Sequence, residues 1–280
     1  MKEKKILITG VAGFIGSNLA EAFLDKGYNV VGLDNFSTGK PQNIESLRGN
    51  GAFEFIKGDI RDRDLLNRVM DGIQIVLHQA ALGSVPRSIN DPVTSIDVNI
   101  TGTTNVFFMA HKHGVERVIY AASSSTYGDS KDLPKVENKI GKPLSPYAIS
   151  KYVNEMMAEN FKAIYNLDTI GLRYFNVFGK RQDPDSTYAA VIPKFVSQLM
   201  NLESPHINGD GSYSRDFTYV ENVVKANLLA AETNNKEALN RVYNVACGNR
   251  TSLNELFDFI KTELSNYNKD IMQINPIYGS

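Results

Sequence analysis

The sequence contains a single cysteine, few histidines, no long apolar run and no excess of charge of either sign. Cys247 has no second cysteine with which to form an internal disulfide. The four histidines, at positions 78, 111, 113 and 206, show none of the spacings typical of metal sites. These absences exclude a disulfide scaffold and predict a protein of the reducing cytoplasm that binds no metal.

Charge and hydropathy exclude two further classes of partner. The 30 Lys and Arg residues are balanced by 31 Asp and Glu residues, for a net charge of −1. A basic surface that would bind nucleic acid or an anionic membrane is therefore not expected. No apolar run approaches the ~18 residues of a membrane span, and the N-terminal MKEKKILITG lacks the apolar stretch of a signal peptide. We expect a soluble protein with neither a nucleic-acid nor a membrane partner.

Short apolar runs alternate with helix-like stretches along much of the chain. This alternation predicts an α/β fold, a doubly wound, Rossmann-like parallel sheet with helices on both faces. Most of the runs are apolar at nearly every position, as expected for strands that are covered on both sides. The predicted strands are residues 4–10, 28–34, 53–59, 73–81, 117–124 and 168–175, followed beyond Gly179 by turn-rich segments that include QDPDST, by a helix over 220–232 and by a strand at RVYNVA.

A glycine-rich segment, TGVAGFIGS, follows the first predicted strand and opens a helix. Gly10 permits a tight turn, Gly13 lets the backbone approach a pyrophosphate, and Gly16 allows the helix to pack closely on the strand. The helix N-terminus then faces the phosphates. The segment predicts a dinucleotide site, although its GxxGxxG spacing differs from the GxGxxG of the commonest fingerprint.

Acidic residues follow the second and third predicted strands. Asp34 lies eighteen residues after Gly16, about where a carboxylate binds the adenine ribose hydroxyls. Because a carboxylate repels a 2′-phosphate, Asp34 favours NAD over NADP as the cofactor. Asp59 and Ile60 are placed to contact the adenine, and a plain helix cap is an equally ordinary role for Asp59.

Tyr147 and Lys151 are four residues apart in SPYAISK, at the start of a predicted helix over 147–166. They therefore share one helix face. A lysine ammonium beside a phenol favours the phenolate and lowers the pKa of the phenol from its usual ~10, which makes the tyrosine a general base. The same helix carries an apolar stripe near helical period, formed by Ile149, Val153, Met156, Met157, Phe161 and Ile164. Its two methionines predict packing in the core or against another helix.

Three consecutive serines, Ser123, Ser124 and Ser125, follow the fifth predicted strand in YAASSSTYGD. A tight turn needs at most one hydroxyl. In this architecture ligands bind outside the carboxyl ends of the strands. The serine run is therefore a candidate part of the site.

The sequence resembles the extended short-chain dehydrogenase/reductase family over nearly its whole length. The family resemblance rests on TGVAGFIG, the acidic strand ends at 34 and 59, HQAA, Asn99, the serine run, YAISK and LRYFNVFG. Within the family it is most similar to the bacterial UDP-N-acetylglucosamine 4-epimerases of polysaccharide pathways. That likeness rests on QAALGSVPRSINDP, YAASSSTYGD, GKPLSPYAISKYVNE, RYFNVFGKRQDP, YAAVIPKF and INGDGSYSRDF.

The resemblance implies NAD-dependent 4-epimerisation of UDP-N-acetylglucosamine to UDP-N-acetylgalactosamine through a transient 4-keto sugar. Tyr147 takes the proton of the C4 hydroxyl, Ser123 shares that proton network, and Lys151 holds the cofactor ribose. Ser124 and Ser125 occupy positions at which related dehydratases carry Asp and Glu, so the chain lacks the acids needed to eliminate water. These two serines either assist Ser123 as further catalytic hydroxyls or, in the case of Ser125, only cap the strand end.

The resemblance also implies which residues hold the two ligands. The NAD site comprises Gly10, Gly13, Phe14, Ile15, Gly16, Asp34, Asn35, Asp59, Ile60, Ala80, Ala81, Asn99, Tyr147 and Lys151. The UDP-sugar site comprises Gly83, Ser84, Val85 and Ser123 at the sugar, Asn176 and Arg215 at the diphosphate, and Val191 and Lys194 at the uridine. A guanidinium suits bidentate phosphate contacts, and the alternative for Arg215 is an ion pair with Asp216.

The resemblance further implies two domains and an assembly. We expect an NAD-binding domain formed by residues 1–177 and 216–246, and a smaller UDP-sugar lobe formed by residues 178–215 and 247–280. Because family members continue further, we expect this lobe to be incomplete and to lack a second nucleotide-binding arginine. The family also implies a homodimer that pairs through the helix after Asn99 and the helix from Tyr147.

Two other functions stay open on the sequence alone. A UDP-glucuronic acid or UDP-glucose 4-epimerase would share every catalytic residue and would differ in the wall of the sugar pocket. A non-catalytic, nucleotide-sensing member of the fold would be expected to lose the tyrosine or the lysine, and both are present here.

Overall fold

The computed structural model describes residues 4–184 and 190–279. The predicted turn at QDPDST and the first residues of YAAVIPKF extend into residues 185–189, which lie outside the described residues. The chain divides into two compact units. The sheet unit comprises the residues up to Phe175 together with Val220–Val245, and the small unit comprises Asn176–Tyr219 together with the residues from Ala246 onward.

Strands and helices alternate along most of the described chain. The strands are β1 (Lys5–Thr9), β2 (Asn29–Asp34), β3 (Phe53–Lys57), β4 (Ile75–His78), β5 (Arg117–Ser123), β6 (Thr169–Tyr174), β7 (Val177–Phe178), β8 (His206–Asn208), β9 (Ser214–Arg215), β10 (Thr218–Tyr219), β11 (Arg241–Val245), β12 (Thr251–Ser252) and β13 (Ile277–Gly279). The α-helices are α1 (Phe14–Asp25), α2 (Arg63–Val69), α3 (Val85–Asn90), α4 (Pro92–Ile96), α5 (Thr103–Lys112), α6 (Pro146–Tyr165), α7 (Val191–Met200), α8 (Val220–Glu232) and α9 (Leu253–Ser265). A π-helical turn, Asp97–Gly102, joins α4 to α5.

The sheet unit is built on a seven-stranded parallel sheet with the strand order β11-β6-β5-β4-β1-β2-β3. Each strand pairs in parallel with its neighbours. The predicted doubly wound, Rossmann-like α/β fold is therefore confirmed. The direction of winding reverses between β1 and β4, and ligands of this architecture bind at the carboxyl ends of the strands beside such a reversal.

The central strands are buried because helices cover both faces of the sheet. All four residues of β4 and all six of β6 are buried. On the face covered by α2, α5 and α6, the ring of Phe107 packs edge-to-face against Tyr120 and Phe161. Full burial of a large apolar side chain contributes about 1.5–3 kcal/mol. This core fixes α6, the helix that carries Tyr147 and Lys151, against the sheet.

Helix α6 confirms the predicted helix over 147–166 to within one residue at each end. It begins where Ala148 N–H donates to Ser145 Oγ at 3.1 Å, with Pro146 in the first turn. It ends at Asn166, whose φ of 55° lies in the left-handed region. The start of α6 is thus set by a local cap immediately before Tyr147.

The apolar stripe of α6 is only partly buried. Phe161 lies in the core, and Met157 packs against it. Ile149, Met156 and Ile164 are 46%, 53% and 62% exposed. These three side chains are therefore not part of the core, and for Met156 the predicted alternative of packing against another helix stays open.

The described part of the small unit contains three two-stranded ladders and a small core. β7 pairs with β10 and β8 with β13 in parallel, and β9 pairs with β12 antiparallel. Helices α7 and α9, which the sequence pattern did not predict, pack together with a short 3₁₀ turn. Their buried side chains are Phe195, Leu199, Ile207, Leu256, Phe257 and Ile271.

The boundaries of the two units differ from the expected domain limits by a few residues. Residues 176–177, 216–219 and 246 belong to the small unit rather than to the sheet unit. The reason is that β7 and β10 pair with each other, so these residues leave the large sheet together.

Candidate functional site

The glycine-rich turn connects β1 to α1 beside the winding reversal. Gly10 has a φ of +70°, which disfavours any side chain. A Cβ on Gly10 would lie 2.7 Å from the backbone nitrogen of Ala80, and a Cβ on Gly16 would overlap the carbonyl oxygen of Gly10. Gly10 N–H donates to Leu33 O at 2.8 Å. The glycines therefore let β1, β2, β4 and the start of α1 approach one another closely.

The N-terminus of α1 is arranged to receive an anion. Gly13 is its N-cap residue, no side chain caps the helix, and its first turn contains no acidic residue. A Cβ on Gly13 would meet only Gly10 O within 4 Å, so the space in front of the turn is open. Phe14 and Ile15 are the first residues of the helix. Uncapped N–H groups behind open space fit the pyrophosphate of a dinucleotide.

Asp34 lies at the end of β2 and faces the same turn. Ala12 N–H donates to Asp34 Oδ2 at 2.9 Å, and Phe36 N–H donates to Asp34 Oδ1 at 2.7 Å. Burial raises the pKa of the Asp34 carboxyl, and these two backbone hydrogen bonds oppose that effect. Each carboxylate oxygen keeps capacity to accept a further hydrogen bond. This placement fits the predicted contact with ribose hydroxyls.

Asp59 is held by side chains rather than acting as a helix cap. Arg61 donates to both of its carboxylate oxygens at 2.8–3.0 Å, and Asn35 Nδ2 donates to Asp59 Oδ2 at 2.8 Å. The bond from Arg61 lowers the pKa of the Asp59 carboxyl to about 2. The cap of α2 is Asp62, so the helix-cap alternative for Asp59 is wrong. The neighbouring Ile60 is buried.

Asn99 joins the segment after β4 to α6. Leu82 N–H donates to Asn99 Oδ1 at 2.8 Å, and Asn99 Nδ2 donates to Ser150 Oγ at 3.1 Å. This segment contains Ala80 and Ala81, which lie at the winding reversal. The buried amide of Asn99 therefore fixes the backbone of the predicted cofactor-binding alanines.

His78 is a structural residue of the site that the sequence did not reveal. Its Nδ1 is 2.7 Å from Thr9 Oγ1 and its Nε2 is 2.9 Å from Thr103 Oγ1. Burial, followed by the charge of Lys151, lowers the pKa of His78 to about 3, so the ring is neutral at physiological pH. Thr9 Oγ1 also accepts Ala80 N–H at 3.2 Å. The histidine thus links β4, β1 and α5 beneath the glycine turn.

The serine run ends β5 and turns into a 3₁₀ helix. Ser125 donates twice to Ser123 Oγ, from its backbone N–H at 3.2 Å and from its hydroxyl at 2.8 Å. Ser123 is therefore the N-cap of this 3₁₀ turn, and Ser125 is bonded to the residue that ends the strand, so both predicted roles of Ser125 stay open. The side chain of Ser123 also lies near enough to the buried phenol of Tyr147 to lower the pKa of that phenol in part. The structure thus groups Ser123, Ser125 and Tyr147, as the sequence predicted, with Ser124 between the two other serines.

Burial, rather than the lysine charge, dominates the pKa of Tyr147. Its pKa is raised by burial, and the hydrogen bond from Ser123 lowers it in part. Lys151 Nζ lies 6.0 Å from the centre of the Tyr147 ring and donates to Ala121 O at 2.8 Å. The expected lowering of the tyrosine pKa by an adjacent ammonium is therefore wrong for the protein alone.

Lys151 has the lowered pKa of the pair. Burial lowers the pKa of Lys151 to about 8, and the carboxylate of Glu155 opposes that effect. Glu155 forms a buried ion pair with Arg173, whose Nη2 is 2.7 Å from Glu155 Oε2. Arg173 Nη1 also donates to Glu137 O at 3.0 Å. This buried ion pair secures α6 on β6 one turn beyond Lys151.

The predicted sugar-contacting residues follow β4. Gly83 is exposed, and a Cβ there would meet no atom within 4 Å. Arg87 N–H donates to Ser84 Oγ at 3.2 Å, so Ser84 is the N-cap of α3. Val85, the next residue, is 39% exposed. Space at Gly83 and an exposed valine leave this segment able to line a ligand, and that role stays a prediction.

The small unit has its own cavity of about 320 Å³. Of the four residues predicted for uridine and diphosphate, Asn176, Val191 and Arg215 line it, and Lys194 does not. Lys194 is exposed on α7, because the rotation of this helix places the neighbouring Phe195, and not the lysine, in the core of the small unit. The sequence missed several other lining residues: Phe178, His206, Asn208, Tyr213, Phe217 and Leu253.

Asp216 supports the backbone and does not neutralise Arg215. The carboxylate of Asp216 accepts N–H bonds from Cys247 at 3.0 Å and from Gly248 at 2.7 Å. Asn176 Nδ2 donates to Asp216 O at 2.8 Å. The predicted alternative of an ion pair between Arg215 and Asp216 is thus not found among the described residues.

A second arginine that the sequence did not single out lies beside Arg215. Arg215 Nη1 donates to Ser214 O at 2.9 Å, and Arg250 Nε donates to Ser214 Oγ at 2.9 Å. The antiparallel pairing of β9 and β12 places Thr251 opposite Arg215 and so brings Arg250 near. Two guanidinium groups at one strand pair form a suitable site for a diphosphate.

Comparison with known proteins places the chain in a family. Residues 6–246 match the NAD dependent epimerase/dehydratase family. This chain therefore belongs to that family, within the extended short-chain dehydrogenases/reductases, and NAD is its cofactor. The open helix N-terminus and the carboxylate of Asp34 are the features of this chain that fit NAD.

Individual relatives include enzymes with different sugars. The UDP-N-acetylglucosamine 4-epimerase of Methanobrevibacter ruminantium M1 has 39% sequence identity and a TM-score of 0.92, with 100% of this chain and 86% of that chain covered. The UDP-glucose 4-epimerase of Mycolicibacterium smegmatis is 37% identical over 90% of this chain and 80% of its own length. The UDP-glucuronic acid 4-epimerase of Bacillus cereus has 30% identity and a TM-score of 0.88, with 98% of this chain and 85% of that chain covered.

Two negative findings apply to the described residues alone. They contain no group of three or more His, Cys, Asp or Glu side chains arranged to hold a metal ion. Among their helices, none combines the length and the apolar character needed to cross a membrane.

Proposed function

We propose that this UDP-sugar 4-epimerase interconverts UDP-N-acetylglucosamine and UDP-N-acetylgalactosamine with NAD. The observation that carries the reaction type is the cluster of Ser123, Ser125 and Tyr147 at the carboxyl edge of a sheet that also holds a dinucleotide-type glycine turn. The choice of an N-acetylated sugar rests on the similarity to the Methanobrevibacter enzyme. The open space at Gly83 is compatible with a bulky C2 substituent.

The side chains assign a proton network to this reaction. Tyr147, in its phenolate form, would accept the proton of the C4 hydroxyl as the C4 hydrogen leaves as hydride, which gives a neutral phenol and a neutral 4-keto group, and Ser123 would hydrogen-bond the reacting oxygen. Lys151, whose ammonium donates to Ala121 O, supplies the nearby cation. NAD, when bound beside these residues, would supply the hydride acceptor and donor that the change of configuration at C4 requires.

The absence of a carboxylate beside Ser123 restricts the chemistry. Residues 124 and 125 are hydroxyls, and a hydroxyl is too weak an acid to protonate a leaving group efficiently near neutral pH. We therefore expect the 4-keto sugar to be re-reduced rather than dehydrated. The reaction then regenerates NAD in each cycle and consumes no second substrate.

The cavity of the small unit suits the uridine diphosphate part of the substrate. Its apolar wall includes Val191 and Phe217, and its polar side includes Asn176 and Arg215. Aromatic and apolar walls with a few polar groups are typical of nucleotide pockets. Arg215 and Arg250 are proposed to bind the diphosphate.

Replacement of either arginine tests this assignment. Arg215→Ala is expected to raise the KM for the UDP-sugar about 10- to 100-fold, because a charge-assisted hydrogen bond contributes roughly 1.5–3 kcal/mol. Arg250→Ala is expected to act in the same direction. Steady-state kinetics with Arg241→Ala as the control, which removes an exposed arginine of β11, would show no change in KM. An unchanged KM in both arginine variants would contradict the diphosphate site.

The identity of the sugar is tested by direct comparison. Purified protein with NAD is incubated separately with UDP-N-acetylglucosamine, UDP-glucose and UDP-glucuronic acid, and the anomeric protons are followed by NMR. The proposal predicts that the N-acetylated sugar is converted with the highest kcat/KM. Faster conversion of UDP-glucose or UDP-glucuronic acid would keep the reaction type and reject the proposed substrate.

We also propose that the chain forms a homodimer through the exposed face of α6. Ile149 and Met156 are seven residues apart, so they lie on one face two turns apart, and both are about half exposed. Such a stripe is typical of a helix that packs against another helix. Because the resemblance to the family implies a homodimer, the proposed partner is a second copy of this chain.

A charge placed on that face is expected to separate the subunits. Met156→Glu would bury a carboxylate in the interface, and light scattering would report a monomer where the native protein gives a dimer. Phe259→Glu, at a 64% exposed position on α9, is the control and should stay dimeric. A dimer that persists in Met156→Glu would contradict this interface.

A further inference from the structure

The first turn of α6 contains backbone N–H groups that precede the first hydrogen bond within the helix and need acceptors from elsewhere. Pro146, the first residue, has no N–H. Ser145 serves the third and fourth residues, because Ala148 N–H donates to Ser145 Oγ at 3.1 Å and Ile149 N–H donates to Ser145 O at 2.9 Å. The N–H of Tyr147, the second residue, therefore depends on a group outside α6.

That acceptor is supplied by a serine on α3, a helix that packs against α6. Tyr147 N–H donates to Ser88 Oγ at 3.1 Å. Ser88 Oγ in turn donates to Val85 O at 2.7 Å. Both directions are fixed, because an amide N–H can only donate and a carbonyl oxygen can only accept. The hydroxyl of Ser88, which is fully buried, thus uses its donor and one acceptor position at once.

The backbone of Ser88 is bonded to the same segment as its hydroxyl. Ser88 N–H donates to Ser84 O at 3.1 Å. Ser84 and Val85 are two of the residues predicted to contact the sugar. One buried serine is therefore bonded to both of them on one side and to the backbone of Tyr147 on the other.

We propose that Ser88 is a positioning residue that fixes Tyr147 relative to the sugar-contacting segment Gly83–Val85, and so fixes the distance between the phenol and the C4 hydroxyl. The catalytic consequence rests on the proposed function, whereas the anchoring of Tyr147 does not. Without the Ser88 hydroxyl, the N–H of Tyr147 would lose its acceptor, and the first turn of α6 would shift or fray. A displacement of about 1 Å at a reacting group can lower a rate about 10²-fold.

Ser95 provides a matched control for the loss of a buried hydroxyl. It is also fully buried, and it lies on α4, which likewise packs against α6. Its Oγ has no hydrogen-bond partner among the described residues. Ser95→Ala therefore deletes the same atom from a similar environment without breaking a hydrogen bond, whereas Ser88→Ala breaks two.

The direct test measures amide hydrogen exchange by NMR in ¹⁵N-labelled, NAD-loaded protein without a sugar. In Ser88→Ala, we expect the N–H of Tyr147 to exchange about 5- to 100-fold faster, because it has lost its hydrogen bond. The N–H of Ala148, bonded to Ser145 Oγ, is the internal reference and should stay close to its native rate. Native exchange at Tyr147 in Ser88→Ala, or an equal acceleration in Ser95→Ala, would overturn the proposal.

Steady-state kinetics of the folded variants supply a readout that a loss of stability alone would not change. In Ser88→Ala, kcat should fall about 5- to 50-fold, while the KM for the UDP-sugar and the affinity for NAD stay within about threefold of native. The KM is retained because α3 keeps its own cap, in which Arg87 N–H donates to Ser84 Oγ at 3.2 Å. A native kcat in Ser88→Ala, or the same fall in Ser95→Ala, would contradict the positioning role.

A double variant tests whether Ser88 acts through Tyr147. In the Tyr147→Phe background, Ser88→Ala should have no further effect on the residual kcat, because the phenol that it positions is already absent. Additive losses would reject the proposed route. Faster exchange at Tyr147 in a protein that epimerises no UDP-sugar would reject the proposed function and retain the anchoring of Tyr147 by Ser88.

Discussion

Tyr147→Phe is expected to lower kcat for UDP-sugar epimerisation by about 10²–10⁴-fold, the usual contribution of a positioned acid or base. The substitution removes only the phenolic oxygen, which lies close to Ser123. No other hydroxyl among the described residues is bonded to Ser123 except that of Ser125. The retained ring should leave the binding of NAD and UDP nearly unchanged.

The measurement is steady-state kinetics together with the NAD content of the purified variant. Tyr165→Phe is the control, since Tyr165 lies at the far end of the same helix and loses the same atom. It should retain native kcat. A Tyr147→Phe variant within about tenfold of native kcat would show that another group takes the C4 proton.

Gly16→Ala is expected to abolish stable NAD binding and to destabilise the fold. The new Cβ would overlap Gly10 O and lie 2.9 Å from the Cα of Val11. Gly10 cannot move away from the new Cβ. Its N–H donates to Leu33 O, and its Cα lies close to the backbone of Ala80. Overpacking of this kind costs about 1–3 kcal/mol, and the displaced turn would lose its alignment with the helix N-terminus.

Calorimetry of NAD binding and thermal unfolding measure the two effects. NAD affinity should fall by at least about tenfold, which corresponds to about 1.4 kcal/mol, and Tm should fall as well. Gly49→Ala is the matched control, since a Cβ there meets no atom within 4 Å. Native NAD affinity in Gly16→Ala would contradict the assignment of this turn to the cofactor.

The architecture of the sheet unit followed from local pattern, whereas that of the small unit did not. Buried parallel strands are apolar at almost every position, so runs such as residues 168–175 stand out in the sequence. Helix α9 was missed although a signal was present: Ser252 and Glu255 form a capping box at its start. Helix α7 follows a turn-rich segment and contains Pro193 in its first turn, which obscured it.

The site was predictable in its residue types and less so in its energetics. Spacing on one helix correctly grouped Tyr147 with Lys151, but spacing carries no information on burial, which raises the pKa of the tyrosine. The exposed position of Lys194, outside the lining of the cavity, could not be read from the motif because it depends on the rotation of α7, and its contact with uridine stays a prediction. Arg250 was missed because it reaches Ser214 through a strand pairing that joins distant segments.

Transfer of the C4 hydrogen as a hydride that stays in the site is the central claim, and an isotope experiment tests it most directly. UDP-N-acetylglucosamine carrying deuterium at C4 is converted in ordinary water, and the product is analysed by NMR and mass spectrometry. We expect UDP-N-acetylgalactosamine to retain the deuterium at C4, because the hydrogen would leave as a hydride and return to the same carbon without exchange with water. Replacement of the deuterium by solvent hydrogen during turnover would contradict the account.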